Sequence, residues 1–269
     1  VKQHVRLAAA MTLLATPLHA TPETYWSLTG TPAVAGNQIE EDGRIRKVET
    51  PLLHVFQTEV AAPKGTVLLL PGGGYNILSA IKEGANTAKF LNAQGYDAAL
   101  LEYPVAAGPD TRDLALAVAL KAYRLIRAKP TALGLNGGLH VDRLGIMGYS
   151  AGGHLAARTA QNLTAAEQPT DLILIYPAYL DETKPGSATP LVTPPAAKPG
   201  RLFVLIAAND RPAWVKSSRA FADAWQAAQG TAEHHLLADG GHGFGMADDR
   251  PGAAKDWPQF LEKFLGPQP

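Results

Sequence analysis

The sequence predicts an α/β protein: a mostly parallel central sheet with helices on both faces. Two observations predict it. Short unbroken apolar runs recur along the chain, namely Val67-Leu68-Leu69-Leu70, Ala98-Ala99-Leu100-Leu101, Leu144-Gly145-Ile146-Met147, Leu172-Ile173-Leu174-Ile175-Tyr176 and Leu202-Phe203-Val204-Leu205-Ile206. Runs without polar alternation mark strands buried on both faces. Segments of helical period lie between them, and that alternation is what βαβ units look like in sequence.

The elements follow in order. Leu53, Val55 and Gln57 alternate with His54, Phe56 and Thr58, as in an antiparallel strand near a sheet edge. The run Val67–Leu70 is followed by a helix over 82–93, ended by Gly95. The run Ala98–Leu101 is followed by a long helix over 113–127, stopped by Pro130. Leu144–Met147 leads into a helix from Ala151 to about Leu163. A helix near 215–228 precedes a strand at His235-Leu236-Leu237, and a helix near 253–264 closes the chain. Residues 21–50 are polar and irregular, with Pro22, Gly30, Pro32, Gly36 and Gly43 as turn signals. No repeat or linker divides the core, so 21–269 reads as a single domain. Residues 181–200 hold Pro185, Pro190, Pro194, Pro195 and Pro199, which forbids a helical cap there. A small or absent lid is expected, and an open site favours bulky or polymer-attached substrates over long acyl chains.

Composition removes several function classes. Acidic and basic residues balance at 24 each, so no basic surplus exists to hold a phosphate backbone, and nucleic acid is not an expected partner. Cysteine is absent, which excludes disulfides, thiolate nucleophiles and cysteine-ligated metal. At the N-terminus Lys2, His4 and Arg6 precede an apolar stretch from Leu7 to Leu18, and Leu18-His19-Ala20 stands before Thr21-Pro22. That pattern reads as a signal peptide over 1–20 and a periplasmic or secreted product. The apolar stretch is shorter than the roughly 20 residues a membrane span takes, so stable membrane insertion is not expected.

The chemistry is carried by Gly148-Tyr149-Ser150-Ala151-Gly152, a G-x-S-x-G sequence set between a strand and a helix. A serine hydroxyl needs a general base to act as a nucleophile. Gly240-Gly241-His242-Gly243-Phe244-Gly245 follows the last predicted strand, and His242 there is the candidate base. Asp210, at the end of the run Leu202–Ile206 and its continuation, is the candidate carboxylate that orients the base. Asp181 is its main rival, and Asp239 stands too close to His242 in sequence to reach back to the ring. The order Ser150, Asp210, His242 is that of the hydrolases carrying this serine turn. Pro71-Gly72-Gly73-Gly74-Tyr75 follows the Val67–Leu70 strand and offers backbone N–H groups to an oxyanion. Gly73 and Gly74 are the favoured donors, with the N–H of Ala151. Phosphate-binding glycine spacings are missing. Tyr75 and Trp214 are candidates for stacking on a sugar ring or aromatic acyl group; ordinary packing beside the site is the other reading. No metal or organic cofactor is required.

Leu70-Pro71-Gly72-Gly73-Gly74-Tyr75, Glu83-Gly84, Met147-Gly148-Tyr149-Ser150-Ala151-Gly152-Gly153-His154-Leu155 and Gly240-Gly241-His242-Gly243-Phe244-Gly245 together resemble the α/β-hydrolase esterases related to acetyl xylan and feruloyl esterases. The resemblance runs from about residue 65 to 265. It implies an α/β-hydrolase fold and a serine esterase acting on acylated carbohydrate, acetyl being preferred over feruloyl. A general short-chain carboxylesterase is the alternative within this chemistry. A peptidase lacks its gating domain here, and a pure binding protein would need none of these residues. Two departures stand out: Tyr103-Pro104, where relatives often carry Tyr-Arg, and Asn209-Asp210, where they often carry paired aspartates, followed by Arg211-Pro212-Ala213-Trp214. No carboxylate pair supports glycosidase chemistry.

Overall fold

The computed structural model describes residues 24–134, 137–181 and 199–266. The leader-like residues 1–20 and all but the ends of the proline-rich stretch 181–200 lie outside them. Nine strands form one sheet: β1 (Thr24–Ser27), β2 (Pro32–Ala33), β3 (Leu52–Phe56), β4 (Thr66–Leu70), β5 (Asp97–Glu102), β6 (Leu144–Tyr149), β7 (Asp171–Ile175), β8 (Arg201–Ala207) and β9 (Thr231–Leu237). Their spatial order is β2-β1-β3-β5-β4-β6-β7-β8-β9. The first four strands of that order pair antiparallel, and every pair from β5 to β9 is parallel.

Side-chain alternation along the strands divides the interior into two cores. Leu68 and Leu70 of β4 point into one, and Val67 and Leu69 into the other. The first core is closed by α2 (Thr111–Ala128), α3 (Ala151–Gln161) and α4 (Pro212–Ala227). In α2 the buried residues Ala115, Ala119, Ala122, Tyr123 and Ile126 form one helical stripe, and the helix packs against α3. The second core is closed by α1 (Asn86–Ala93) and α5 (Trp257–Leu265), through Leu91, Trp257, Leu261 and Phe264. No helix among the described residues is long and apolar enough to cross a membrane.

β3 is antiparallel as expected and lies third from the edge of the sheet: β1 and β2 cover it, and all five of its residues are buried. The irregular segment before it supplies that cover, with the Tyr25 ring stacked 4.1 Å from His54. The helix expected from residue 82 starts as a π-helical segment, Ala80–Ala85, before α1 takes over. Glu83 and Gly84 in that segment are buried rather than turned to solvent.

One approach fixes the centre of the fold. The start of α3 lies so close to β4 that a Cβ on Gly152 would stand 2.1 Å from the Leu70 carbonyl oxygen and 2.5 Å from that of Pro71. Both obstacles are backbone and cannot swing aside. Gly152→Ala is expected to destabilise the protein by about 1–3 kcal/mol, the usual cost of overpacking, which urea denaturation measures.

Burial lowers the pKa of His54 from 6.5 to about 4. The unfolded chain therefore binds a proton that the folded chain refuses between those values. The contribution to stability is undiminished above about pH 6.5 and is lost progressively as pH falls to about 4. His54→Phe keeps a ring beside Tyr25 without a titrating group, and a shallower loss of unfolding free energy across that window is expected.

Candidate active site

The loops that follow β4, β6, β7, β8 and β9 all leave the sheet at the C-terminal ends of parallel strands, where open α/β sheets form their sites. β6 delivers Ser150 directly into the N-terminus of α3. Its backbone adopts φ 50° and ψ −117°, a conformation that costs a non-glycine residue on the order of 1–3 kcal/mol. Three backbone bonds hold it there: Ser150 N–H to Ile175 O (3.0 Å), and the His154 and Ala178 N–H groups to Ser150 O (3.1 Å each).

The Ser150 hydroxyl lies 2.8 Å from His242 Nε2, and His242 Nδ1 lies 2.7 Å from Asp210 Oδ2. The structure thus joins the three residues singled out in the sequence into one hydrogen-bonded line. The Asp210 carboxylate is almost wholly buried, at 1% exposure, and its Oδ1 accepts the Arg211 N–H at 2.6 Å. The rivals do not compete. Asp181 is exposed, and Asp239 accepts the Ala253 N–H at the start of the turn before α5. Asn209, which stands where relatives often carry an aspartate, accepts the Gly241 N–H at 2.8 Å and so anchors the histidine loop.

The glycine loop after β4 folds against this line. Among the described residues the Gly72 N–H is engaged by Glu83 Oε2 at 2.7 Å, whereas the N–H groups of Gly73 and Gly74 have no protein acceptor. Gly73 adopts φ 137°, and a Cβ there would meet the Ile77 carbonyl oxygen at 2.1 Å. Ala151, the first residue of α3, has a backbone N–H that the helix leaves unpaired. Gly73, Gly74 and Ala151 are therefore free to donate to a ligand oxygen, and Gly72 is not. Tyr103, which precedes the departing Pro104, donates its hydroxyl to Pro71 O at 2.5 Å and steadies the same loop.

A cavity of about 630 Å³ opens over Ser150 and His242. Trp214 and Tyr179 line it, with Arg44, Lys82 and Arg211 among its cations and Glu41 and Asp42 among its acids. The segment 41–44 thus forms a wall that nothing in the sequence pattern marked. Trp214 packs 4.8 Å from the His242 ring, carries the Arg211 guanidinium 4.4 Å over its face, and meets Tyr179 edge-on. Tyr75 is not on the cavity wall. It is 4% exposed, its hydroxyl bonds His154 Nδ1 at 2.8 Å, and Tyr103 and Tyr179 pack around it, so the packing reading holds for this residue. Its partner His154 is held neutral: burial, aided by Arg158 and Arg112, lowers its pKa to about 3.

Three residues of the site escaped sequence reading. Tyr179 and Tyr176 follow β7, and Glu83 sits in the π-helical segment. Tyr176 packs its ring 4.9 Å from His242, donates its hydroxyl to Glu83 Oε1 at 2.7 Å and accepts the Gly245 N–H at 2.9 Å. Burial raises the pKa of the Glu83 carboxyl and, with Glu83 beside it, raises that of Tyr176 well above the usual phenol value. The only signal for Glu83 was its place in the Glu83-Gly84 pair that carries part of the resemblance.

Comparisons with known proteins agree with this architecture. Residues 67–199 match a family model described as the α/β hydrolase fold. An acetylxylan esterase of Xylanibacter ruminicola is 31% identical over 122 residues, which are 45% of this chain and 24% of that protein; the chain thus spans about a quarter of that relative. Among solved structures, an α/β hydrolase enzyme from a Medee basin deep-sea metagenome library is 23% identical, with a TM-score of 0.64 over 87% of this chain and 96% of the other. An acetyl ester-xyloside bifunctional hydrolase of Caldicellulosiruptor lactoaceticus is 25% identical, with a TM-score of 0.62 over 80% of this chain and 87% of the other. The chain is a protein of the α/β-hydrolase fold, similar to esterases built on that fold.

Proposed function

We propose that this protein is a serine carboxylic-ester hydrolase that removes short acyl groups, acetyl above all, from carbohydrate such as xylan. The observation that carries the reading is the continuous line Ser150–His242–Asp210, with Gly73 and Gly74, whose N–H groups have no acceptor among the described residues, lining the same cavity. His242 Nε2 takes the Ser150 hydroxyl proton as Oγ attacks the ester carbonyl carbon. The carbonyl oxygen becomes an oxyanion and receives N–H bonds from Ala151 and from the Gly73–Gly74 stretch. Asp210 accepts the Nδ1–H and stabilises the imidazolium without taking its proton. The imidazolium then protonates the departing alkoxide, which leaves as the alcohol, and the acyl group stays on Oγ. Water enters, gives a proton to His242 and attacks the acyl carbon. Collapse of the second intermediate returns the proton to Oγ and frees the acid.

Support for the acyl and carrier classes comes from two sides. The cavity mixes aromatic faces with charged rims, which suits a sugar-bearing ester better than a long alkyl chain. Two of the similar proteins are named for acetylxylan or acetyl ester-xyloside hydrolysis. A polymeric substrate also agrees with the exported location that residues 1–20 predict.

Ser150→Ala is expected to lower kcat/KM on nitrophenyl acetate by about 10⁴-fold or more, and Asp210→Asn by roughly 10²- to 10⁴-fold, both with unchanged folding. Serine-dependent acetate release from acetylated xylan, with a sharp fall beyond short acyl chains, is the expected substrate profile. Turnover of nitrophenyl acetate with none on xylan would leave a general short-chain carboxylesterase. Near-normal turnover by Ser150→Ala would overturn the mechanism.

A further inference from the structure

We propose that Glu83 is a positioning residue that ties the oxyanion-binding loop to the histidine loop, so that one buried carboxyl group sets both halves of the reacting geometry. The inference rests on the serine-hydrolase reading above and assigns a role to a group that reading does not use.

The connection is continuous. Gly72 N–H donates to Glu83 Oε2, the Tyr176 hydroxyl donates to Glu83 Oε1, and Gly245 N–H donates to the Tyr176 hydroxyl, at 2.7, 2.7 and 2.9 Å. Gly72 immediately precedes the two N–H donors Gly73 and Gly74. Gly245 lies three residues after His242, and the Tyr176 ring packs against the imidazole itself. A second strap runs beside the first, from Met246 N–H to Lys82 O at 2.9 Å.

The space around the carboxyl group is cut to this bridge. A Cβ on Gly72 would stand 2.7 Å from Glu83 Oε2, and a Cβ on Gly245 would stand 2.8 Å from Lys82 Cγ and 3.2 Å from Glu83 Cγ. Both loops approach Glu83 closely only because they lack side chains at these points. The two hydrogen bonds offset the burial of the Glu83 carboxyl group, with weaker support from the charges of Lys82 and His242 nearby. Removing the carboxyl group leaves Gly72 N–H and the Tyr176 hydroxyl without an acceptor inside the protein, and both loops lose their common anchor. A glutamine keeps an oxygen for Gly72 and an amide that can donate to Tyr176, so it preserves the bridge without the charge.

The test uses the full chain with Glu83→Ala, Glu83→Gln and Tyr176→Phe, read by nitrophenyl acetate kinetics and by hydrogen exchange of residues 72–78 and 240–246. Glu83→Ala is expected to lower kcat about 10²-fold, comparable to loss of one oxyanion donor, with KM within about threefold. Exchange should rise in both loops, Glu83→Gln should restore kcat to within about tenfold of the parent, and Tyr176→Phe should lower kcat and loosen mainly 240–246. An unchanged kcat in folded Glu83→Ala, a rise in KM alone, or loosening confined to one loop would overturn the proposal. Should Glu83→Ala fail to fold, an unchanged kcat in Tyr176→Phe, or no rescue by Glu83→Gln, overturns it. A parent protein without Ser150-dependent turnover would instead refute the hydrolase reading, while loop exchange still reports on the bridge.

Discussion

The close approach of α3 to the end of β4 is the constraint on which the rest of the site depends. It exists because Gly152 presents no side chain to the Leu70 and Pro71 carbonyl oxygens. That approach sets the Ala151 N–H beside the glycine loop, so donors from two strand ends converge on one volume. It also forces the turn between β6 and α3 to be abrupt, and Ser150 absorbs the abruptness in its own backbone. The strain is affordable because neighbouring backbone groups from β7, α3 and the loop after β7 all bond to Ser150. The nucleophile is thus held by the parallel sheet itself and not by a mobile loop.

Around that fixed point the remaining groups arrive on separate loops, and their mutual placement is a problem of hydrogen bonding. Asn209 holds the histidine loop from the strand before it, and Tyr103 and Glu83 hold the glycine loop from below. Tyr103 and Glu83 are polar side chains buried where water cannot substitute for a missing partner, so they fix geometry more firmly than the exposed Asn209 contact does. The rigidity of the site is spread over several strands, with the partly exposed imidazole packed against the Tyr176 and Trp214 rings.

What could be read from the sequence follows this division. The strands from β4 to β8 were legible because burial on both faces leaves an unbroken apolar run. Ser150, Asp210 and His242 were legible because each stands at a strand end in a pattern tied to chemistry. Glu83 was not, because a glutamate early in a predicted helix reads as a solvated charge, and only the π-helical winding and the distant Tyr176 turn it into a buried bridge. Trp214, itself largely buried, lines the cavity, but Tyr75 faces inward, its left-handed backbone at φ 63° accompanying a hydroxyl committed to His154. β1 and β2 were missed because four- and two-residue strands carry too few positions for a period to show.

The hydrogen bond between Ser150 and His242 spans 92 residues of chain. Between them lie β7, β8, α4 and β9, and β9 pairs with β8 at the end of the sheet to carry the chain into the loop that holds His242. A chain emerging from synthesis therefore exposes its serine long before it owns a base to activate it, and the hydroxyl is inert in every partly finished state. On the chemistry proposed here, hydrolytic competence requires the last parallel strand and its loop to be in place. Turnover then doubles as a report on the completeness of folding, because no fragment ending before residue 242 can show it.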